Sequence, residues 1–291
     1  MTTPVKVSAP ITSAIVPVAG LGTRLRPLTP ALPKEMLPLG RRLLLDYVLE
    51  EMIAAGITEA LFVVSKQKPM VRAWLGDKVE KEGKTLHCSY AVQHEQKGSG
   101  HALLCAAEWL AGRTAAVVFG DCLIESQAAG LPLARLIQTH RAEQAAASIL
   151  VERVEPALVS RYGMVDPLHA AEAENAEPFA LRGIVEKPQP QQTPSHYAAA
   201  ARWVLEAEVL QALQYAQPDA RGEINLPDTL HALMQQGRKM WAVPLLPGEA
   251  RQDIGNARSY LSQFVKTALH DPEYGQALRE EAALILKCNN S

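Results

Sequence analysis

Residues 13–19, SAIVPVA, form an apolar run that empties into Gly20-Leu21-Gly22. An apolar run without polar alternation fits a strand covered on both faces, as in the interior of a parallel sheet flanked by helices. The theme repeats along the first half. TEALFVVS (58–65), LHCSYAV (86–92) and AAVVF (115–119) read as further strands. Between them lie segments of helical period: LLLDYVLEEMIAAG (43–56), closing on Gly56 as a C-cap, KPMVRAWLGDKV (68–79) and GSGHALLCAAEWLAG (98–112). This alternation predicts an α/β fold built on a doubly wound, mostly parallel, Rossmann-like sheet. Ligands of such sheets bind beyond the carboxyl ends of the strands. Segments 20–34, 93–101 and 120–122 all fall at such ends.

The second half is less regular. ASILVERV (147–154), LRGIVEK (181–187) and KMWAVPL (239–245) read as strands, and LPDTLHALMQQG (226–237) as an amphipathic helix. HYAAAARWVL (196–205) fits strand or helix, because its alanines carry no period. The alanine-rich stretch 169–178 reads as an exposed hairpin or loop. A helical tail covers 256–287, its apolar positions packing on this chain or on a neighbour. With no repeat or linker, residues 1–291 read as one domain in three parts, 13–125, 126–255 and 256–291. A chain that is 48% hydrophobic with a formal net charge of -2 suits a soluble globular protein and argues against a nucleic-acid partner. No apolar run is long enough for a membrane span, and MTTPVKVSAPITS lacks the regions of a signal peptide. Cys88, Cys105, Cys122 and Cys288 show no close pairing and read as reduced thiols, so the expected compartment is the cytoplasm.

Charged residues gather where the strands end. Gly20-Leu21-Gly22 permits backbone N–H groups to approach phosphate oxygens, although neither a dinucleotide fingerprint nor a Walker A loop completes itself, and a structural turn remains open. Arg24 adds a forked donor and Lys34 a compact cation on a loop stiffened by Pro27, Pro30 and Pro33. Asp121 follows an apolar strand and Gly120, and its hard oxygens suit Mg²⁺ shared with substrate phosphates. Glu186 and Lys187 end another strand. A Ser99, His101 and Asp121 set can be assembled on paper, but nothing in the sequence orients its imidazole.

GLGTRLRPLT…PKEMLPL resembles the signature of the sugar-1-phosphate nucleotidyltransferases. Gln93, GSGHALLCA (98–106), GD (120–121), YGMV (162–165), VEKP (185–188), ARWVL (201–205), GEINLPD (222–228) and DIGN (253–256) match in the same order. The resemblance implies a nucleotide-binding part (13–125), a sugar-binding part (126–255) and the tail. It implies that Ala19, Gly20, Leu21, Gly22 and Thr23 hold the nucleotide, with Gln93 and Gly98 at its base. Arg24, Lys34 and Lys187 would be catalytic. Gly163, Glu186, Lys187 and Arg202 would face the sugar, and Asp121 and Asp253 would share Mg²⁺. The implied substrates are UTP and glucose 1-phosphate, with dTTP, another sugar 1-phosphate or a non-catalytic regulatory role as alternatives. A homodimer or homotetramer is implied too. Ala201 stands where the family carries a glycine.

Overall fold

A computed structural model describes residues 9–170, 175–193 and 195–288. Residues 1–8 of the N-terminal stretch and 171–174 of the alanine-rich stretch lie outside the described residues.

The first apolar run forms the strand Ser13–Pro17, inside a ten-stranded sheet. Its side chains divide between two cores: Ala14 and Val16 join one, Ile15 the other. The first core is closed by the helices Leu44–Ala54 and Leu131–Glu143, the second by Gly98–Leu104, Ala207–Leu213 and Leu226–Gln235. A strand packed on both faces in this way has to be apolar throughout.

The strand order is Gly163–Pro167, Phe179–Glu186, Met240–Pro244, Ala147–Arg153, Tyr197–Leu205, Ala115–Val118, Ser13–Pro17, Glu59–Val64, Lys84–Val92 and Lys78–Lys81. Ser13–Pro17 runs parallel to both neighbours, and Glu59–Val64 runs parallel to Lys84–Val92. The expectation of a mostly parallel sheet needs correction, because the sheet is mixed. Tyr197–Leu205 is antiparallel to both Ala115–Val118 and Ala147–Arg153, and Phe179–Glu186 is antiparallel to both its neighbours. At the other edge, the helix expected over 68–79 is confined to Met70–Leu75. Gly76 stops it with φ 61°, and Lys78–Lys81 turns back on Lys84–Val92 through Glu82 and Gly83, both at positive φ. The charged Lys78–Lys81 strand blunts that edge against further pairing.

HYAAAARWVL resolves as the strand Tyr197–Leu205. The segment 98–112 breaks into the helices Gly98–Leu104 and Ala107–Leu110. A separate pair, Cys122–Glu125 with Ala250–Asp253, was not legible in the sequence. No helix among the described residues is long and apolar enough to cross a membrane.

Candidate active site

Beyond the strand Ser13–Pro17 the chain crosses Ala19 and Gly20 and makes one 3₁₀ turn, Thr23–Leu25. Gly22 adopts φ 69°, a left-handed conformation that favours glycine. The buried Thr29 donates through Oγ1 to the Gly22 carbonyl at 2.6 Å, and the buried Lys68 donates through Nζ to the Leu21 carbonyl at 2.8 Å. With its carbonyls tied back, the loop exposes Leu21, Thr23 and Arg24.

Pro33 starts a second 3₁₀ turn, Lys34–Met36, which returns Lys34 to the first loop. A Cβ at Gly20 would meet Lys34 Nζ at 3.2 Å, so glycine there leaves room for the ammonium group. Lys34 Nζ donates to Asp121 Oδ2 at 2.5 Å. Burial alone would lower the Lys34 pKa, but the charge and hydrogen bond of Asp121 outweigh it, with help from Glu35, and hold it above the ordinary value. For Asp121, burial would raise the pKa, and the Lys34 ammonium reverses this and holds the carboxyl below its usual range.

Asp253 reaches the same place through the second sheet, where it pairs in register with Cys122. Ile254 N–H then donates to the Asp121 carbonyl at 3.1 Å. At Gly255 the N–H donates to Asp253 Oδ1 at 2.8 Å, while a Cβ would meet that oxygen at 2.8 Å and Arg24 Nη2 at 3.0 Å. Four charged residues from three separate segments of the chain thus converge: Arg24, Lys34, Asp121 and Asp253.

Two further groups lie at the ends of other strands. Gln93, buried at the end of Lys84–Val92, donates through Nε2 to the Gly98 carbonyl at 3.4 Å and lies 3.0 Å from His101 Nδ1. Gly98, at φ 89°, leaves no room for a side chain, since a Cβ would sit 2.7 Å from the Ile224 carbonyl. The GEINLPD segment therefore lies against the 97–100 turn. In the other group, Gly163 is in register with Glu186, and Lys187 Nζ donates to Glu186 Oε1 at 2.7 Å. Lys187 N–H donates to the Tyr162 carbonyl at 3.1 Å.

Arg202 requires a correction. Expected at the sugar, it is wholly buried and forms a two-pronged ion pair with Glu51, Nε to Oε1 at 2.8 Å and Nη2 to Oε2 at 2.7 Å. A guanidinium enclosed in this way makes no contact with a ligand in the cleft. The Ser99, His101 and Asp121 set does not assemble as a triad, because the imidazole turns to Gln93 and Asp121 turns to Lys34.

Thr29, Lys68, Gly255 and Glu35 escaped the reading of the sequence. Thr29 and Gly255 belong to quoted motifs, but an anchor and a point of close approach carry no periodic signal. Lys68 stands at the start of the helix expected over 68–79. Glu35, beside Lys34 in PKE, is fully buried.

Asp121 and Asp253 offer hard oxygen donors suited to a divalent cation. Among the described residues no three His, Cys, Asp or Glu side chains gather around a metal-sized space. Two carboxylates beside Arg24 and Lys34 fit an ion whose remaining partners are substrate oxygens. The arrangement suits the approach of highly anionic phosphate groups, not hydrolysis by a protein nucleophile.

The nucleotidyl transferase family matches residues 13–269. UTP–glucose-1-phosphate uridylyltransferase of Staphylococcus epidermidis is 31% identical over 287 residues, covering 92% of this chain and 96% of the relative. The enzyme of the same name from Bacillus subtilis is 30% identical over 281 residues, covering 90% and 93%. Among solved structures, a UDP-glucose pyrophosphorylase from Acinetobacter baumannii superposes with a TM-score of 0.82 at 28% identity, covering 96% of this chain and 99% of that one. A UTP-bound form from that organism gives 0.80 at 29% identity, covering 95% and 99%. The match spans both halves of the sheet and every charged residue of the central cluster, and the chain belongs to the nucleotidyl transferase family.

Proposed function

We propose that this chain joins UTP and glucose 1-phosphate to give UDP-glucose and pyrophosphate, reversibly and with Mg²⁺. The observation that carries this reading is the convergence of Arg24, Lys34, Asp121 and Asp253 at the carboxyl ends of Ser13–Pro17 and Ala115–Val118. A sugar phosphate is largely dianionic near neutral pH, its second pKa being about 6, so its oxygen needs no base before attack. That oxygen forms the new bond to the α-phosphorus of UTP while the bond to the β-phosphate oxygen breaks, and pyrophosphate carries away the electron pair.

The obstacle is repulsion between anions, and positioned positive charge lowers it. Arg24, exposed at the rim, faces the triphosphate and the departing pyrophosphate. Lys34, held at Gly20, neutralises the reacting phosphates. Ala19 and the Gly20-Leu21-Gly22-Thr23 backbone seat the nucleotide. Gln93 and Gly98 border its base, which an amide reads by donating and accepting at once. Gly163 and Glu186 face the sugar hydroxyls, and Lys187 meets the sugar phosphate. Mg²⁺ held by Asp121 and Asp253 would supply further neutralisation of the triphosphate when bound.

The test is a matrix of nucleoside triphosphates against sugar 1-phosphates, scored by pyrophosphate release with and without chelator. UTP with glucose 1-phosphate should give the highest kcat/KM, and chelation should abolish it. Arg24→Ala should stay folded and lose most turnover. A maximum with dTTP or another sugar phosphate would reassign the substrates. No release in any cell of the matrix would leave a binding or regulatory protein.

A further inference from the structure

Every donor of the buried Arg202 guanidinium has an acceptor. Besides Glu51, Nη2 donates to the Cys122 carbonyl at 2.8 Å, and Nη1 donates to the carbonyls of Phe119 and Ala201 at 3.3 and 3.0 Å. Phe119 and Cys122 flank Gly120-Asp121, so the guanidinium grips the backbone on both sides of the aspartate that meets Lys34. Cys122 is also the register partner of Asp253. Glu51, at the other end of the pair, lies on the helix Leu44–Ala54, whose first residue donates its N–H to the Leu37 carbonyl at 3.0 Å, next to the turn that carries Lys34. One ion pair therefore connects the element behind Lys34 to the segments that present both carboxylates.

Stability alone gives little reason for this arrangement. Burying two charges costs several kcal/mol per ion, and replacing such pairs by apolar side chains is often neutral or stabilising. What the guanidinium uniquely offers is a rigid fork of five donors. The segment it grips has no slack. A Cβ at Gly120 would lie 2.8 Å from Val18 Cγ1 and 2.9 Å from Glu35 Cγ.

We propose that Arg202 and Glu51 are positioning residues, which set the placement of Asp121 and Asp253 by fixing the carbonyls around Gly120-Asp121. The inference rests on the reading of those aspartates as a metal pair. Partners behind metal ligands typically tune affinity by about 10- to 100-fold, and the pair acts on metal in that manner.

The decisive variant is Glu51→Leu combined with Arg202→Met, which removes both charges and keeps an apolar fill. It should fold, with a melting temperature lowered by the loss of the Arg202 donors to the Phe119, Ala201 and Cys122 carbonyls. Mn²⁺ affinity in the presence of UTP, followed by electron paramagnetic resonance, should weaken by about tenfold, with a similar fall in kcat. KM for glucose 1-phosphate should hold within about twofold, because Gly163 and Glu186 lie on other strands and Lys187 just beyond one of them. Arg202→Lys, which keeps a charge for Glu51 but lacks the fork, should shift Mn²⁺ affinity in the same direction. A folded double variant with wild-type Mn²⁺ affinity and kcat overturns the proposal. So does a double variant that fails to fold, since the pair would then serve the fold and not the site. Wild type and Asp121→Asn are measured alongside. If wild type with UTP holds no Mn²⁺, the metal reading and this inference fall together; if it does and the double variant equals it, only this inference falls.

Discussion

Glu35 follows Lys34 in the chain, yet its carboxyl turns into the protein and is fully buried. Neither of its oxygens has a hydrogen-bond partner among the described residues, and the nearest cation, Lys34 Nζ, is 3.9 Å away. Burial pushes its pKa up to about 7; Lys34 opposes the rise and Asp121 adds to it. The consequence for stability has a definite sign. Between the unfolded value of 4.5 and about 7, the folded protein keeps a proton that the unfolded chain has released. Stability therefore falls as pH rises through this window, and above it the loss is complete, at roughly 3 kcal/mol. Glu35→Gln keeps the shape without the charge. It should match wild type near pH 4 and exceed it increasingly up to pH 8, by roughly 3 kcal/mol in urea unfolding. A difference that does not change with pH would show that Glu35 binds its proton equally in the folded and the unfolded chain.

At the level of elements, Tyr197–Leu205 shows where sequence patterns stop being informative. Its register to Ala147–Arg153 shifts between Ala199 and Trp203, and within that irregularity Ala201 adopts φ 59°. The bulge turns Arg202 inward, as bulges elsewhere re-aim single side chains. Four successive alanines give neither a period of two nor of 3.6, so strand and helix stay open and the bulge is hidden, and the resemblance alone places Arg202 at the sugar. By contrast, SAIVPVA and TEALFVVS declared themselves, because a strand buried on both faces must be apolar throughout. Pairing direction was less legible. Parallel and antiparallel neighbours demand the same side chains from a central strand, and the second half, antiparallel except where Met240–Pro244 runs parallel to Ala147–Arg153, follows from long-range pairings. The central cluster was legible because motifs carried Arg24, Lys34, Asp121 and Asp253. Its supports, Thr29, Lys68 and Glu51, are ordinary residues until the chain folds. A left-handed conformation costs a non-glycine residue about 1–2 kcal/mol, partly offset by the lower chain entropy of alanine. Ala201→Gly should accordingly raise the urea midpoint, by about 0.5–1 kcal/mol in stability, with turnover unchanged. A lowered midpoint would mean that the alanine methyl contributes packing worth more than the strain.

Across the whole molecule, the tail is anchored at one end and bare at the other. Tyr260 OH donates to the Pro38 carbonyl at 2.9 Å, and Arg41 reaches Asp271 and Glu273, both at 2.8 Å, beneath the Tyr274 ring. These contacts fasten the helix Ala257–Leu269 and the turn after it to the loop behind Lys34. The last helix, Gly275–Cys288, buries only Gly275, and Leu284, Ile285 and Leu286 are 64%, 55% and 65% exposed. Single exposed apolar side chains are ordinary, but a consecutive run at the end of an amphipathic helix is costly to leave in water. Leu261 and Val265 on the preceding helix are exposed as well, at 56% and 53%. We propose that this exposed apolar end of the tail, which Leu284, Ile285 and Leu286 surround on more than one side, meets a second copy of the chain, giving a homodimer or homotetramer. Leu284→Glu with Leu286→Glu should then lower the mass measured by light scattering to that of a single chain of 31.6 kDa. The helix itself would persist, because glutamate is a good helix former. Both substitutions lie on the tail, outside the charged cluster, so turnover per chain should persist if assembly and chemistry are independent. An unchanged mass in the double variant, or a wild type already of single-chain mass, would remove this end of the tail from any assembly.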